Sequence, residues 1–216
     1  MKDKLTEYHR RRDFAKTAEP EGRPGERPST RWPSFVVQIH DATAMHFDFR
    51  LEVDGVLKSW AVPKGPSHDP QDKRLAVPTE DHPLEYREFE GVIAAGEYGA
   101  GTVIVWDEGT YRNLSTDRSG RELAFADALA GGHASFRLHG HKLHGGYSLT
   151  RIRDGRGGER EAWLLVKRAD TSAGAGGAPD PARARSVRSG HTLKQTGAGG
   201  AAPPRGRADE PSGDSR

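Results

Sequence analysis

Residues 38–52 read QIHDATAMHFDFRLE, and the second half of this stretch alternates strictly between polar and apolar side chains. A period of two is typical of a β-strand with one polar and one apolar face. The polar face of this predicted strand carries an imidazole, two carboxylates and a guanidinium, contributed by His46, Asp48, Arg50 and Glu52. The stretch therefore predicts a strand that packs a core with one face and presents a chemical site with the other.

The preceding run, Phe35–His40, also alternates and places its histidine opposite the apolar residues. Five residues separate His40 from His46, which suits a tight connection between antiparallel neighbours. Such a pairing would bring two imidazoles beside Asp48, with Arg50 two residues further on. A solvated sheet face is the alternative interpretation of these polar residues. The predicted convergence of two imidazoles and a carboxylate favours a metal site at this corner, with an arginine for an anion.

The body of the chain reads as mostly strand, because short apolar runs recur between glycine, proline and aspartate. The predicted strands are Phe35–His40, His46–Val53, Leu57–Val62, Arg74–Val77, Thr102–Trp106, Gly109–Leu114, Ala134–Leu138, Tyr147–Arg153 and Ala162–Lys167. Turn residues at 53–56 and 106–110 predict hairpins. Helical spacing occurs at Leu5–Arg12 and Arg121–Leu129. This pattern indicates a mainly β protein, a closed or partly closed β-barrel or sandwich with one or two short helices.

Composition divides the chain of 216 residues into a body and two less apolar ends. From residue 171 onward it is rich in Gly, Ala, Pro, Ser and Arg, with too few large apolar residues to offset the entropy of ordering. We therefore predict an N-terminal helix and arm over residues 1–30 and a barrel domain over residues 31–170. A disordered basic tail is predicted over residues 171–216.

The chain has no cysteine, which excludes disulfides and thiol chemistry and fits a reducing cytoplasm. It has no apolar run of membrane-spanning length and no signal-peptide core, so we expect a cytoplasmic protein without a membrane partner. The formal net charge is only +2. Arginines cluster at residues 10–12 and in the tail, which suits a polyanionic partner or plain solubilising charge.

Two further clusters have chemical potential, although each residue taken singly is more typical of a charged surface. Arg74, Glu80 and His82 share parity along one segment, and two prolines flank the loop that presents Lys64. Four later histidines lie in a glycine-rich hairpin region, which argues against a second metal site: His133, His139, His141 and His144. The run 96–101, GEYGAG, lacks the ending of a phosphate loop and is better interpreted as a β-turn.

Ordered motifs along the chain closely resemble the 3'-phosphoesterase domain of bacterial DNA ligase D. They are RDF at 12–14, TAEP at 17–20, VQIHDA at 37–42, HFDFRLE at 46–52, LKSWAVPKGP at 57–66, EDHPLEY at 80–86, GEYGAG at 96–101 and WLLVK at 163–167. The resemblance runs from about Tyr8 to Arg168. No polymerase or ligase module follows, which favours a stand-alone version or an excised domain. The segment Ser186–Leu193 faintly resembles the stretch that trails this domain in fused ligases.

The resemblance implies a β-barrel with a polar crater and a manganese-dependent enzyme, with other first-row divalent ions as alternatives. The expected reaction removes a 3'-terminal ribonucleoside and then the remaining 3'-phosphate, leaving a 3'-hydroxyl for non-homologous end joining. DNA or DNA/RNA 3' ends would be its substrates, and Ku and separate ligase or polymerase components its partners. We expect a monomer that associates with the nucleoid.

By motif position, the resemblance implies that the metal ligands are His40, His46 and Asp48. Arg50 and His82 would contact the scissile phosphate, and His82 could equally protonate the leaving oxygen. The remaining expected site residues are Lys64, Arg74, Glu80 and Tyr86, with Arg12, Asp13 and Glu19 from the N-terminal arm. The metal would act as a Lewis acid and could activate the attacking water.

Two functions from other classes remain as alternatives. His46 and Asp48 also match the facial triad of non-haem iron 2-oxoglutarate oxygenases, with His144 as third ligand and Arg151 or Arg153 as the co-substrate clamp. That interpretation leaves His40, Lys64 and His82 without roles. The second alternative is a non-catalytic adaptor that binds DNA ends through its basic tail.

Overall fold

A computed structural model describes residues 4–22, 32–153, 161–174 and 179–199. Its nine strands are β1 (Ser34–Asp41), β2 (His46–Val53), β3 (Val56–Val62), β4 (Lys73–Pro78), β5 (Gly91–Ile93), β6 (Gly101–Asn113), β7 (His133–Gly140), β8 (His144–Arg153) and β9 (Glu161–Lys167). The helices are α1 (Thr6–Arg10), α2 (Phe125–Ala130) and α3 (Leu193–Gly199), together with a 3₁₀ helix at Leu84–Glu88.

The strands form one antiparallel sheet that closes on itself. The order is β1-β2-β3-β4-β9-β8-β7-β6, and a β1–β6 pairing completes an eight-stranded barrel. Strand β5 pairs with β6 in antiparallel register, from Gly91 opposite Val103 to Ile93 opposite Gly101. Closure removes free sheet edges, which would otherwise pair with other chains. The predicted mainly β class, closed barrel and few short helices are confirmed.

Alternation along the strands separates the barrel core from the site. The larger hydrophobic cluster contains side chains from all eight barrel strands, among them Phe49 of β2 and Phe136 of β7. The polar residues of β2, including Asp48 and Arg50, have the opposite parity and project from the other face. The predicted two-faced strand is therefore present, with the same bounds, His46–Val53.

A second, smaller cluster lies on the outer face of β1, β3 and β6. Tyr8 of α1 and Leu84 and Tyr86 of the 3₁₀ helix are buried in it against Val36 and Leu57. The described part of the N-terminal arm thus packs on the same side of the sheet as the polar residues of β2. The 3₁₀ helix and β5 were not predicted from sequence, because each is short and has no resolvable periodicity.

One of the two predicted hairpins forms and the other does not. β2 and β3 are joined through Asp54 and Gly55, whose φ angles of 49° and 82° fit a type I′ turn. The expected turn at 106–110 is wrong, because β6 runs without interruption through these residues. Gly109 serves close packing instead: a Cβ there would stand 2.1 Å from the carbonyl oxygen of His139.

The expectation of disorder from residue 171 onward is wrong for residues 179–199. Ala184 and Leu193 are buried in the barrel cluster, and the Val187 amide donates to the Val105 carbonyl at 2.9 Å. Arg188 pairs with Glu108 at 2.9 Å. Composition averages over the whole tail, whereas a few apolar side chains can order a segment when they pack on a preformed surface. Residues 200–216 lie outside the described residues.

Within the described residues, no helix is long and apolar enough to cross a membrane.

Candidate active site

Strand pairing brings the three predicted metal ligands together at the corner between β1 and β2. His40 lies directly opposite His46 in the ladder, and their ring centroids are 4.9 Å apart. His40 Nδ1 is 3.7 Å from Asp48 Oδ2, and His46 Nε2 is 3.6 Å from Asp48 Oδ1. One ligand atom from each residue lies within 4.8 Å of the others. This spacing is compatible with a single divalent ion between them.

Backbone carbonyls orient both imidazoles toward Asp48. His40 Nε2 lies 2.8 Å from the Gly99 carbonyl oxygen, and His46 Nδ1 lies 2.8 Å from that of Ala44. A carbonyl can only accept, so these two nitrogens carry the hydrogens in the neutral rings. The lone pairs are left on His40 Nδ1 and His46 Nε2, the atoms that face Asp48. This arrangement of second hydrogen bonds is typical of metal-binding histidines.

The charge state of the corner depends on Arg50. Burial would raise the pKa of Asp48, but the Arg50 guanidinium and the two histidines outweigh it and hold that pKa well below its usual range. Burial lowers the pKa of His46, whereas its hydrogen bond with Asp48 raises it, and the net direction is upward. Asp48 is therefore an anion at neutral pH, as a metal ligand requires.

Arg50 lies next to the candidate metal corner, which is formed by His40, His46 and Asp48. Its Nη2 donates to Asp48 Oδ2 at 2.9 Å, its Nε to Gln38 Oε1 at 2.8 Å and its Nη1 to Ser59 Oγ at 2.9 Å. The guanidinium carbon is 4.8 Å from the centre of the Tyr86 ring. Arg50 is only 2% exposed, so its guanidinium group is held in place by these buried protein groups. Gln38 shares the parity of His40, a signal that could have identified it from sequence.

His82 lies behind Arg50 as a neutral imidazole. Burial, Arg50 and Arg12 together hold its pKa well below the usual value. His82 Nδ1 is 2.8 Å from the Glu80 carbonyl oxygen, which can only accept, so Nδ1 carries the proton. The 3.0 Å approach of Arg50 Nη1 to the same nitrogen is then a contact between two donors rather than a hydrogen bond. The lone pair on His82 Nε2 lies 3.4 Å from Arg12 Nη2.

The N-terminal arm completes this buried network through Arg12. Its Nε donates to Glu19 at 2.9 Å and its Nη1 to Glu80 at 3.0 Å. The Tyr86 hydroxyl also donates to Glu19 at 2.9 Å. The Arg12 guanidinium lies 3.9 Å from the centre of the Tyr8 ring. The structure thus brings together five of the expected residues beyond the metal ligands and Arg50: Arg12, Glu19, Glu80, His82 and Tyr86.

Three expected residues lie apart from this network. Asp13 is exposed and pairs with Lys16 at 2.9 Å. Arg74 pairs with Asp72 at 2.6 Å. The pKa of Asp72 is lowered first by a hydrogen bond from Ser67 and further by the charges of Arg74 and Lys64. Among the described residues, neither Lys64 nor Arg74 forms an ion pair with the candidate metal ligands. Their expected place in the site stays a prediction.

Two residues that sequence analysis did not select also border the site. Arg11 donates from Nη1 to Glu80 Oε2 at 3.3 Å and to the Tyr98 hydroxyl. Tyr98 precedes Gly99, whose carbonyl orients His40. This link joins α1 to a distant loop, and no local sequence pattern signals it.

The arrangement does not support the oxygenase alternative. His144 lies on β8, which is separated from β2 in the sheet by β3, β4 and β9. Within the described part of the chain, the one group of three potential metal ligands is His40, His46 and Asp48. The clamp residue Arg151 instead lies 3.9 Å from Glu161.

Comparison with known proteins gives consistent matches. The family model described as "DNA Ligase D 3'-phosphoesterase domain" matches residues 38–151. "Multifunctional non-homologous end joining protein LigD" of Pseudomonas aeruginosa is 52% identical over 78% of this chain and 19% of its own length. The similarly named Mycobacterium tuberculosis protein is 48% identical over 71% of this chain, and that of Mycolicibacterium smegmatis 46% over 70%.

The chain thus spans about a fifth of the length of these curated relatives, 19% in each case. The family match covers more than half of the 216 residues, including all three candidate metal ligands. The chain belongs to the DNA ligase D 3'-phosphoesterase domain family.

Proposed function

We propose that this chain is a divalent-metal-dependent phosphoesterase that processes the 3' ends of DNA. It removes a 3'-terminal ribonucleoside and then the remaining 3'-phosphate, and it leaves a 3'-hydroxyl. The main support for this proposal is the 2.9 Å hydrogen bond from Arg50 to Asp48. It places a guanidinium that can bind an anion next to the three candidate metal ligands. Family membership supports the same class of reaction.

The metal would be held by His40 Nδ1, His46 Nε2 and a carboxylate oxygen of Asp48. Two imidazole nitrogens and one oxygen suit manganese and other first-row ions, and three protein ligands leave positions for water and phosphate. A bound ion would supply Lewis acidity to a phosphate oxygen. The hydrogen bonds to Gly99 and Ala44 hold the two ligand nitrogens in the required tautomer.

Arg50 would hold the phosphate beside this corner. A guanidinium has five N–H groups, and Gln38, Ser59 and Asp48 accept from three of them. One N–H on each terminal nitrogen remains, which is the spacing of a bidentate phosphate contact. Stabilisation of developing charge by such fixed donors accounts for a large share of the rate in many enzymes.

His82 would act on the leaving side of the phosphate. Its neutral ring presents Nε2 as an acceptor, and the negative charge of a bound phosphate would raise the pKa of His82 and let Nε2 donate. Two roles fit this chemistry, namely protonation of the leaving oxygen and a plain hydrogen bond to the phosphate. A His82→Ala variant that loses ribonucleoside removal but keeps 3'-phosphate removal would indicate protonation. Equal loss of both steps would indicate phosphate binding.

The setting we propose is non-homologous end joining, which the names of the relatives state for those proteins. There the chain would act as a monomer in the cytoplasm, on DNA or DNA/RNA ends at the nucleoid. Ku would hold the ends, and separate ligase or polymerase components would use the 3'-hydroxyl. We propose that Lys64, Arg74 and Asp13 also contribute to the site.

The test is turnover of a 5'-labelled DNA strand that ends in one ribonucleotide. With manganese we expect a 3'-phosphate product first and a 3'-hydroxyl product later, both resolved on a denaturing gel. A chelator should stop both steps. His46→Ala should abolish them in a folded protein, whereas the exposed-histidine control His139→Ala should not. Binding of the strand without turnover, under all first-row ions tried, would contradict the proposal and favour a non-catalytic adaptor.

A further inference from the structure

Tyr98 is an aromatic side chain left open at the border of the site. The large apolar residues that stay exposed in the described part of the chain are Trp32, Met45, Leu75 and Tyr98, and Tyr98 is the most open at 45%. Two of these four residues adjoin the metal corner in sequence. Met45 precedes the ligand His46, and Tyr98 precedes Gly99, whose carbonyl bonds His40. A single exposed apolar side chain is common on protein surfaces, so what distinguishes Tyr98 is its position beside the candidate metal ligands.

The loop that carries Tyr98 is ordered by its own backbone. Gly96 and Gly99 have φ angles of 92° and 77°, a conformation that glycine adopts readily. The Glu97 amide donates to the Ala94 carbonyl at 3.1 Å, and the Ala100 amide donates to that of Glu97 at 3.1 Å. Together with the bond from His40 to Gly99, these contacts tie the position of Tyr98 to the metal corner.

Arg11 fixes the ring from the other side. Its guanidinium carbon is 4.7 Å from the ring centre, and its Nη1 donates to the phenol oxygen. The same side chain binds Glu7 at 2.6 Å and Glu80 at 3.3 Å, so it is anchored to the network around His82. Tyr98 is therefore linked to His40 through Gly99 and to Glu80, close to His82, through Arg11. Part of its ring is exposed to solvent.

We propose that Tyr98 is a stacking platform for the base of the nucleotide whose 3'-phosphate is being processed. The inference rests on the proposed function, which puts that phosphate between the metal corner and Arg50. An aromatic ring beside a phosphate site binds single-stranded ends by stacking, and it tolerates any base because every base has a π face. The cation Arg11 behind the ring adds attraction for the strand. Tyr98 thereby gives the enzyme a preference for nucleotide ends over simple phosphate esters.

The experiment compares two oligonucleotides that both carry a 3'-phosphate. One has a normal 3'-terminal base and the other an abasic 3'-terminal residue. Tyr98→Leu should raise KM for the first about 5- to 100-fold, as expected for a lost base stack. It should leave kcat on that substrate and both constants on the abasic one unchanged. Tyr98→Phe should resemble the wild type, because it keeps the ring and loses only the bond to Arg11.

Two outcomes would overturn the proposal. If Tyr98→Leu impaired both substrates equally, the residue would be holding Arg11 and the loop in place and would not bind a base. If it impaired neither, the ring would be unused. Trp32→Leu is the matched control, since it also removes an exposed aromatic ring with an arginine, Arg112, at 4.3 Å. This variant should keep the wild-type KM on both substrates.

A binding measurement separates failure of this proposal from failure of the proposed function. A strand with 2-aminopurine at its 3' end is mixed with protein in the presence of a chelator, so no turnover is needed. Wild type should quench the fluorescence, and Tyr98→Leu should not. If the wild type quenches the fluorescence but does not hydrolyse the strand when Mn²⁺ is supplied, the phosphoesterase activity is refuted and the stacking role of Tyr98 is supported. Absence of quenching by the wild type, or equal quenching by both proteins, would refute the stack.

Discussion

At the scale of single residues, the site depends on matched charges that have little access to water. Arg12 and Arg50 are buried with three carboxylates, those of Asp48, Glu19 and Glu80. Removing an ion from water is costly, and the cost is recovered only when each charge has close partners and hydrogen bonds. Loss of one member therefore leaves another charge buried and unpaired. Function and stability are coupled at these positions.

Replacing Arg50 by lysine should be severely damaging although the charge is retained. One ammonium cannot bond Gln38, Ser59 and Asp48 and still offer a fork to phosphate. We expect kcat/KM for 3'-phosphate release to fall about a hundredfold or more in Arg50→Lys. The matched change Arg137→Lys, at an exposed arginine of β7, should have no effect. Near-normal activity of Arg50→Lys would refute the anion-binding role.

His82 should make stability depend on pH. Its pKa is held well below the usual value by burial, Arg50 and Arg12, so below the unfolded value the unfolded chain binds a proton that the folded protein does not. The free energy of unfolding should therefore decrease as pH falls below about 6.5, by up to about 1.4 kcal/mol per pH unit. Above that pH this group should contribute no slope.

Urea denaturation of metal-free protein from about pH 5 to 7.5 checks this dependence, with His82→Gln as the reference. The raised pKa of His46 has the opposite effect, with stability that is lost as pH rises, and it cancels in the difference between the two proteins. Parallel curves for wild type and variant would show that His82 titrates normally.

At the scale of elements, strict alternation between polar and apolar residues was enough to predict β2 and the convergence of His40, His46 and Asp48. A slip of one residue would have turned every polar side chain of β2 into the core, so the register was strongly specified. The pattern failed at β6, because Gly109 signals a turn in sequence and serves a close approach in the fold. The contact between Arg11 and Tyr98 could not be predicted from sequence either, because it depends on how two distant segments pack.

The N-terminal arm contains one buried and one exposed acidic residue, whose substitutions should affect stability differently. Glu19 is buried and bonds Arg12, Tyr86 and Thr17, whereas Asp13 is exposed and pairs with Lys16. Glu19→Gln should lower the free energy of unfolding by about 3–5 kcal/mol, the usual cost of breaking a buried ion pair. Asp13→Asn should change it by less than about 0.5 kcal/mol. Chemical denaturation measures both, and equal effects would contradict the burial of the arm.

At the scale of the whole molecule, the C-terminal segment 179–199 packs against the barrel. Leu193 and Ala184 join the core cluster, and Lys142 Nζ donates to the Arg185 carbonyl at 2.7 Å. Basic residues in a polar, glycine-rich stretch had suggested a disordered tail, but this segment packs against the barrel. A truncation after Asp170 should therefore destabilise the fold and should not serve as a neutral test of DNA binding.

Single substitutions test this packing without removing the segment. Leu193→Ala should lower the free energy of unfolding by about 2–5 kcal/mol, as for other buried leucines. Lys194→Ala, at the exposed neighbour, should have little effect. Thermal or urea unfolding distinguishes the two. Wild-type stability in Leu193→Ala would mean that the segment does not contribute to the core.

We propose that one corner, formed by the pairing of β1 with β2, holds the metal on which catalysis depends. Electron paramagnetic resonance measures it most directly, because the sharp spectrum of free Mn²⁺ is lost on binding. Titration of wild type should show about one tightly bound ion per chain. His40→Ala, folded by circular dichroism, should bind none at the same concentrations, while the exposed-histidine control His139→Ala should match wild type. Unchanged Mn²⁺ binding by His40→Ala would contradict the metal centre proposed at this corner.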